Sequence, residues 1–227
     1  MPDYTSWITR AVEFTEGLRS LPGDIQVTVE VSPPINEAQV AALNSRLRLK
    51  LPGPIVHFLT TASAKCLCEY WWEPSAPLRR QLDELFPSKT FVFGGSSLCH
   101  WDKFDSNERG RDDTGEALQR DYPEDARFWL NSVPFYEAGD GDCLGLYVGT
   151  DWMGEEYPVV KLDQHGCGWS KVVAPSFDEF LSVWEELNYL HPCFLIPYLR
   201  DPITGYISPN SPKTEKLKAL FRGKWRK

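Results

Sequence analysis

The chain has 227 residues, 42% of them hydrophobic and 13% aromatic, which fits a protein that buries a sizeable core and excludes a disordered one. Its net charge of −8 is unevenly spread: residues 213–227 hold seven Lys/Arg and one Glu, so residues 1–212 carry about −14. That acidic body disfavours nucleic acid as a partner; it suits either a basic protein partner or plain colloidal solubility.

No apolar run approaches the ~20 residues of a membrane span, and the N-terminus MPDYTSWITRAVEF has no basic and apolar regions of a signal peptide. A cytoplasmic protein with no membrane partner is the expectation. Six cysteines without an export signal then read as thiols, not as a disulfide framework.

In chain order, Trp7, Ala11, Phe14 and Leu18 fall on one helix face, and the alternation Ile25-Gln26-Val27-Thr28-Val29-Glu30-Val31 predicts an amphipathic strand. Together they form an N-terminal extension, residues 1–34, closed by Pro33-Pro34. Asn36 with Gln39 three residues on is a helix start, continued by Val40, Leu43 and Leu47. Leu51-Pro52-Gly53-Pro54 breaks that helix, and Ile55, Phe58, Leu59 and Ala62 space a second one. Cys66–Trp72 and Thr90–Phe93 read as strands, with room for a short helix over Leu78–Leu85.

Residues 102–125 hold nine acidic and four basic side chains. Arg111–Gln119 lacks a strong apolar stripe, so a solvated helix or loop is expected there in preference to core. An apolar face restarts at Pro123 and runs through Ala126, Phe128, Trp129 and Leu130. Four strands follow: Val133–Tyr136, Cys143–Val148, Pro158–Leu162 and Ser170–Val173, the first two joined by the turn Gly139-Asp140-Gly141-Asp142. Ser176 and Glu179 have the spacing of a capping box, and Phe177, Phe180, Leu181, Trp184 and Leu187 form the buried face of the helix they open. Beyond Asn188 the chain is a Pro-rich arm, residues 188–227, ending in a short basic helix over Thr214–Phe221.

The order from Gly139-Asp140-Gly141-Asp142 through Pro-Ser-Phe-x-Glu-Phe-Leu resembles the C-terminal half of the SUKH superfamily, the Smi/Knr-type domain. Ile35–Ala62, a helix, a Leu-x-Leu-Pro turn and a second helix, resembles that family's opening. The resemblance covers residues 35–187. It implies an α+β fold in which helices near both ends pack on a twisted, mostly antiparallel sheet. It further implies a noncatalytic binding protein, foremost a bacterial immunity protein neutralising a cognate toxin, possible nucleases included. The alternative is a regulatory scaffold that binds endogenous partners. Many relatives have Leu-Asp in the strand after the turn, where this chain has Leu144-Gly145-Leu146-Tyr147, which puts any ligand contact by that Asp in doubt.

The candidate partner-binding residues are Asp140, Asp142, Glu155, Glu156 and Trp72. The carboxylates would form an acidic rim for Lys or Arg of a basic protein; the other reading of Asp140 and Asp142 is hairpin chemistry alone. Trp71 and Trp72 are adjacent in a strand and must point to opposite faces, one to the core and the other open to a partner. No catalytic residue, metal ligand or cofactor is assigned. Cys66-x-Cys68, Cys99-His100, His165-Gly-Cys167 and His191-Pro-Cys193 lack paired C-x₂₋₄-C knuckles, and no Walker loop, nucleophile elbow or His-Glu-x-x-His occurs. Oligomeric state is not readable from these patterns.

Overall fold

The structure, a computed structural model, describes residues 3–20, 24–73, 75–85, 93–94, 97–137, 141–154, 156–166, 170–191 and 199–221. Helix α1 (Tyr4–Gly17) leads through a 3₁₀ turn to strand β1 (Asp24–Ser32). Helices α2 (Glu37–Arg46) and α3 (Gly53–Thr61) precede β2 (Lys65–Glu73) and α4 (Ala76–Leu85). Two short strands, β3 (Phe93–Gly94) and β4 (Ser97–Leu98), lead to helices α5 (Phe104–Leu118) and α6 (Pro123–Leu130). Strands β5 (Ser132–Glu137), β6 (Cys143–Tyr147), β7 (Val159–Leu162) and β8 (Lys171–Ala174) run into α7 (Phe177–Glu186). The last described element is α8 (Pro212–Phe221).

The strands form one antiparallel sheet in the order β1-β2-β4-β5-β6-β7-β8, with β3 beside β4 on the same edge of β2. The fold is α+β. The N-terminal extension is part of this sheet: β1 pairs with β2 along all nine residues, Asp24 opposite Glu73 through Ser32 opposite Lys65.

Burial divides the sheet in two. Strands β5, β6 and β7 are buried on both faces, as near-continuous apolar strands must be. One face carries α1, α3 and α7, through Ile8, Phe58, Phe180 and Trp184 packed on Phe135, Leu144 and Val159. The other face carries α5 and α6, through Leu118, Ala126 and Trp129 packed on Tyr147, Val160 and Leu162. Strands β1 and β2 alternate instead. Cys66, Cys68 and Tyr70 point inward beneath α1, while Glu69, Trp71 and Glu73 point to solvent.

Local chemistry accounts for the helix ends. Asn36 and Gln39 make both bonds of a capping box at α2. At α7 the Ser176 hydroxyl accepts from the Glu179 amide at 3.2 Å. The α1–α7 contact uses the indole of Trp7, which donates to the Leu181 carbonyl at 3.1 Å, and the Tyr4 hydroxyl, which donates to Asp178 at 2.6 Å. Burial, and then that carboxylate, push the Tyr4 phenol well above its ordinary 10.

The expectation for residues 111–119 is corrected in part. Residues 111–118 lie in the regular helix α5, exposed at 113, 116 and 117 as a solvated helix would be, but its other side is buried: Arg111 at 2% exposure is among the largest fully buried side chains. Its guanidinium meets Asp112 at 2.7 Å, Glu108 at 3.2 Å and the Ser132 carbonyl at 3.2 Å, so the charge is buried with its partners. The apolar stripe is weak because Arg111 and Gly115 stand between Phe104 and Leu118 on the buried side, and carboxylates satisfy the arginine. Gly115 keeps α5 close to α6; a Cβ there would lie 2.7 Å from the Leu130 side chain.

Candidate functional site

Of the five sequence-derived binding residues, Asp140 and Glu155 lie outside the described residues. The structure places the other three. Asp142 is 7% exposed and points inward, its Oδ2 lying 2.9 Å from Nζ of Lys161, a lysine that is itself buried. Asp142 Oδ1 accepts from the Gln164 amide at 3.2 Å, and Asp163 closes the cluster at 3.2 Å from the same ammonium. The reason lies in β7: its Lys161 faces the core beside Leu144, its directly opposed residue, and a buried ammonium needs carboxylates. Asp142 therefore pairs with a buried cation. Gly141 before it adopts φ +90°, a left-handed conformation that suits glycine and supports the reading of the turn as backbone chemistry.

Trp72 is the inward member of its pair. It shares a face with Cys66, Cys68 and Tyr70 and packs half-buried on the core. Trp71 is the outward one, 45% exposed. Sequence alternation fixes that the two rings diverge; only the sheet's single covered face at β1–β2 decides which of them goes out. Glu156 is exposed in the connection from β6 to β7, toward the opposite end of the sheet from β1.

The acidic stretch 102–125 is for the most part internally engaged. Asp105 pairs with Arg46 at 3.2 Å and Asp112 with Arg48 at 2.9 Å, while Glu108 accepts from the amides of Arg48 and Leu49. Asp125, 1% exposed, accepts from the Ser170 amide at 2.8 Å. These bonds tie α5 and α6 to the α2–α3 connection and to the start of β8. They hold the fold together, and their charge is already partnered.

Among the described residues, Asp113, Glu116 and Glu124 stay exposed on α5 and α6, and a further open negative surface is the outer face of the β1–β2 ladder. The register puts Gln26 opposite Trp71, Asp24 opposite Glu73 and Thr28 opposite Glu69, so Trp71 stands between Glu69 and Glu73 on its own strand and faces polar residues on the next. Lys65 pairs with Glu30 at 2.5 Å at one end of the face. Asp24, Glu69 and Glu73 thus stand near an exposed indole, with the Glu30–Lys65 pair toward the other end of the face. That combination suits a cationic protein surface: the carboxylates steer it, and the ring offers apolar area and a π face for Arg or Lys. The signal was present in the sequence, as E-x-W-x-E in a strand, but it was outweighed by the more conspicuous Gly-Asp turn.

A cavity of about 150 Å³ lies beside β5, lined by described residues that include His100, Lys103, Phe104, Asn107, Phe135 and Glu137. His100 Nδ1 lies 2.5 Å from Asp102. Cys66, Cys68 and Cys99 are buried thiols in the main core, the first two with sulfurs 3.9 Å apart, and complete burial pushes the Cys99 thiol well above its ordinary value. Among the described residues no group of three or more His, Cys, Asp or Glu is placed to hold a metal ion, and no helix is long and apolar enough to cross a membrane.

The family model SMI1 / KNR4 family (SUKH-1) matches residues 34–183. The chain belongs to this family. The match begins just after β1 and ends within α7, so the ladder face described above is built half from the family domain (β2) and half from the strand that precedes it (β1). No curated protein matches the chain.

Proposed function

We propose that this SUKH-1 protein is a noncatalytic binding domain that acts as an immunity protein, covering the basic, nuclease-type surface of a cognate toxin. The observation that carries the reading is Trp71, 45% exposed and flanked by Glu69 and Glu73 on the outer face of an otherwise acidic ladder. An aromatic anchor with carboxylates beside it is what a cationic protein surface requires, and the strongly negative body adds long-range steering. Family membership supports a binding role. Glu156 belongs to the wider acidic surface, at a distance in the sheet from this anchor.

The test is co-expression with the product of the adjacent upstream gene. The chain should restore growth to cells expressing that product and form a one-to-one complex with it. Association should slow steeply as salt brings the Debye length below about 10 Å. Trp71→Ala, and separately Glu69→Lys with Glu73→Lys, should weaken the complex without unfolding the chain. Growth inhibition unrelieved by the chain, or a complex indifferent to all three substitutions, would overturn the reading.

A further inference from the structure

We infer that the free edge of β1 is a docking strand, onto which an extended, cationic segment of a partner protein adds as a further strand of the sheet. This deepens the binding reading above and rests on it. The sheet order leaves β1 with a neighbour on one side only, and its nine residues pair with β2 without a register shift. Nine residues of strand present about 30 Å of main chain. Among the described residues no strand lies beyond β1; the Val27 carbonyl accepts from Arg19 at 3.0 Å, a bond that an added strand would displace, and the Ser32 carbonyl accepts from Ser63 at 2.8 Å. The other end of the sheet is treated differently, for the chain itself returns there and Ile207 N donates to the Val173 carbonyl of β8 at 2.8 Å.

Long exposed edges are normally blunted by lysine, proline, a bulge or an inward charge. The sequence of β1, DIQVTVEVS, has no lysine, no proline and no inward charge, and its register with β2 is regular. Its inward row is Ile25, Val27 and Val29, half-buried and opposite Trp72, Tyr70 and Cys68. An added strand would lay alternate apolar residues beside this row. Its other side chains would stand beside Asp24, Gln26, Thr28 and Glu30, the last already paired with Lys65, with Glu69 and Glu73 one strand further on. A segment alternating apolar and basic residues meets both rows.

The same carboxylates disfavour one register of a second copy of this chain, and the test below separates that occupant from a cationic segment. Two copies of β1 paired antiparallel about Val27, each keeping its apolar row inward, would set Asp24 directly opposite Glu30 twice. The basic C-terminal segment is occupied in helix α8 as far as Phe221.

Amide hydrogen exchange on the full chain tests the inference, with an acetylated ten-residue peptide of alternating Lys and Val as the probe. The peptide should slow exchange across residues 24–32. A Glu-Val peptide of the same length, and a Lys-Val peptide with its valines replaced by proline, should not. Asp24→Lys with Glu30→Lys, both at exposed positions, should weaken Lys-Val binding by about threefold to thirtyfold, the range for two cross-strand charge pairs turned repulsive. Unchanged exchange at 24–32, or equal slowing by the acidic peptide, overturns the proposal. Slowing that rises with protein concentration alone would assign the edge to a second copy, and faster exchange after removal of residues 222–227 would assign it to the chain's own end. Failure is separable from that of the immunity reading: a toxin neutralised with residues 24–32 unprotected in the complex sinks the edge and leaves the function standing. Peptide-induced protection without neutralisation of any toxin does the reverse.

Discussion

Replacing Asp142 by alanine tests whether the Gly-Asp turn serves the core or a partner. Lys161 is 5% exposed and holds two carboxylates, Asp142 at 2.9 Å and Asp163 at 3.2 Å. Breaking a buried pair by removing one partner costs about 3–5 kcal/mol, and because Asp163 remains beside the ammonium the lower end, ~3 kcal/mol, applies. The Gln164 amide also loses its acceptor, adding ~1 kcal/mol. Asp142→Ala should therefore cost ~3–4 kcal/mol in urea unfolding followed by tryptophan fluorescence. At ~2–4 °C per kcal/mol for a chain of this size, the thermal midpoint falls by ~6–16 °C. Combining it with Lys161→Met should be less damaging than the two single changes added together, by at least ~1 kcal/mol, since the pair shares one interaction. Glu156→Lys, at an exposed position, should stay within ~0.5 kcal/mol of the parent. A loss below ~1 kcal/mol for Asp142→Ala would refute the buried-cluster reasoning and return Asp142 to the surface.

Trp184→Ala should cost ~3–5 kcal/mol, because the ring is 3% exposed, stacks on Phe180 and donates to the Leu190 carbonyl at 2.8 Å; a loss under ~1 kcal/mol would contradict the packing of α7. Ser176→Ala should cost ~1 kcal/mol by removing the α7 cap, checked by the same unfolding curve. In native protein a thiol reagent should reach Cys143 well before Cys66, Cys68 and Cys99, and after denaturation without reductant all six thiols should react; fewer would indicate a disulfide. Burial, then the bond to Asp151 at 2.6 Å, raise the Tyr147 phenol to about 12. The folded state thus holds this proton more tightly than the unfolded one: its contribution is intact below pH 10 and is lost as pH rises from about 10 to about 12. Ultraviolet titration of the phenolates against a Tyr147→Phe variant checks this, and a tyrosine ionising near 10 in the folded chain would contradict it.

The legible parts of this sequence are those where a local rule has one structural solution. Asn36/Gln39 and Ser176/Glu179 fix helix starts because an orphan amide needs an acceptor at that spacing. The alternation over residues 25–31 fixes a strand because one face must be wet and the other dry. Strand β2 shows where such rules stop. Period two separates Trp71 from Trp72, yet which ring is outward depends on α1 lying over the Cys66–Cys68–Tyr70 face, a tertiary fact.

Charge was read least well, and for a physical reason. A carboxylate in a polar stretch looks the same whether it meets water or a buried cation. The informative residues were the cations in improbable places. Lys161 lies inside the apolar strand VVKL, and Arg111 lies on a helix side that packs against a sheet. Each demands acids from elsewhere in the chain, and the turn and the 102–125 stretch supply them: Asp142 and Asp163 to the first, Glu108 and Asp112 to the second. Once those acids are withdrawn from the surface, much of the 102–125 charge is committed to the fold. Part of the charge that stays exposed lies on the outer face of β1 and β2, on Asp24, Glu69 and Glu73 beside Trp71. The half of the sheet buried on both faces gives structure; the half whose outer face is exposed among the described residues carries an aromatic ring and the carboxylates of Asp24, Glu69 and Glu73.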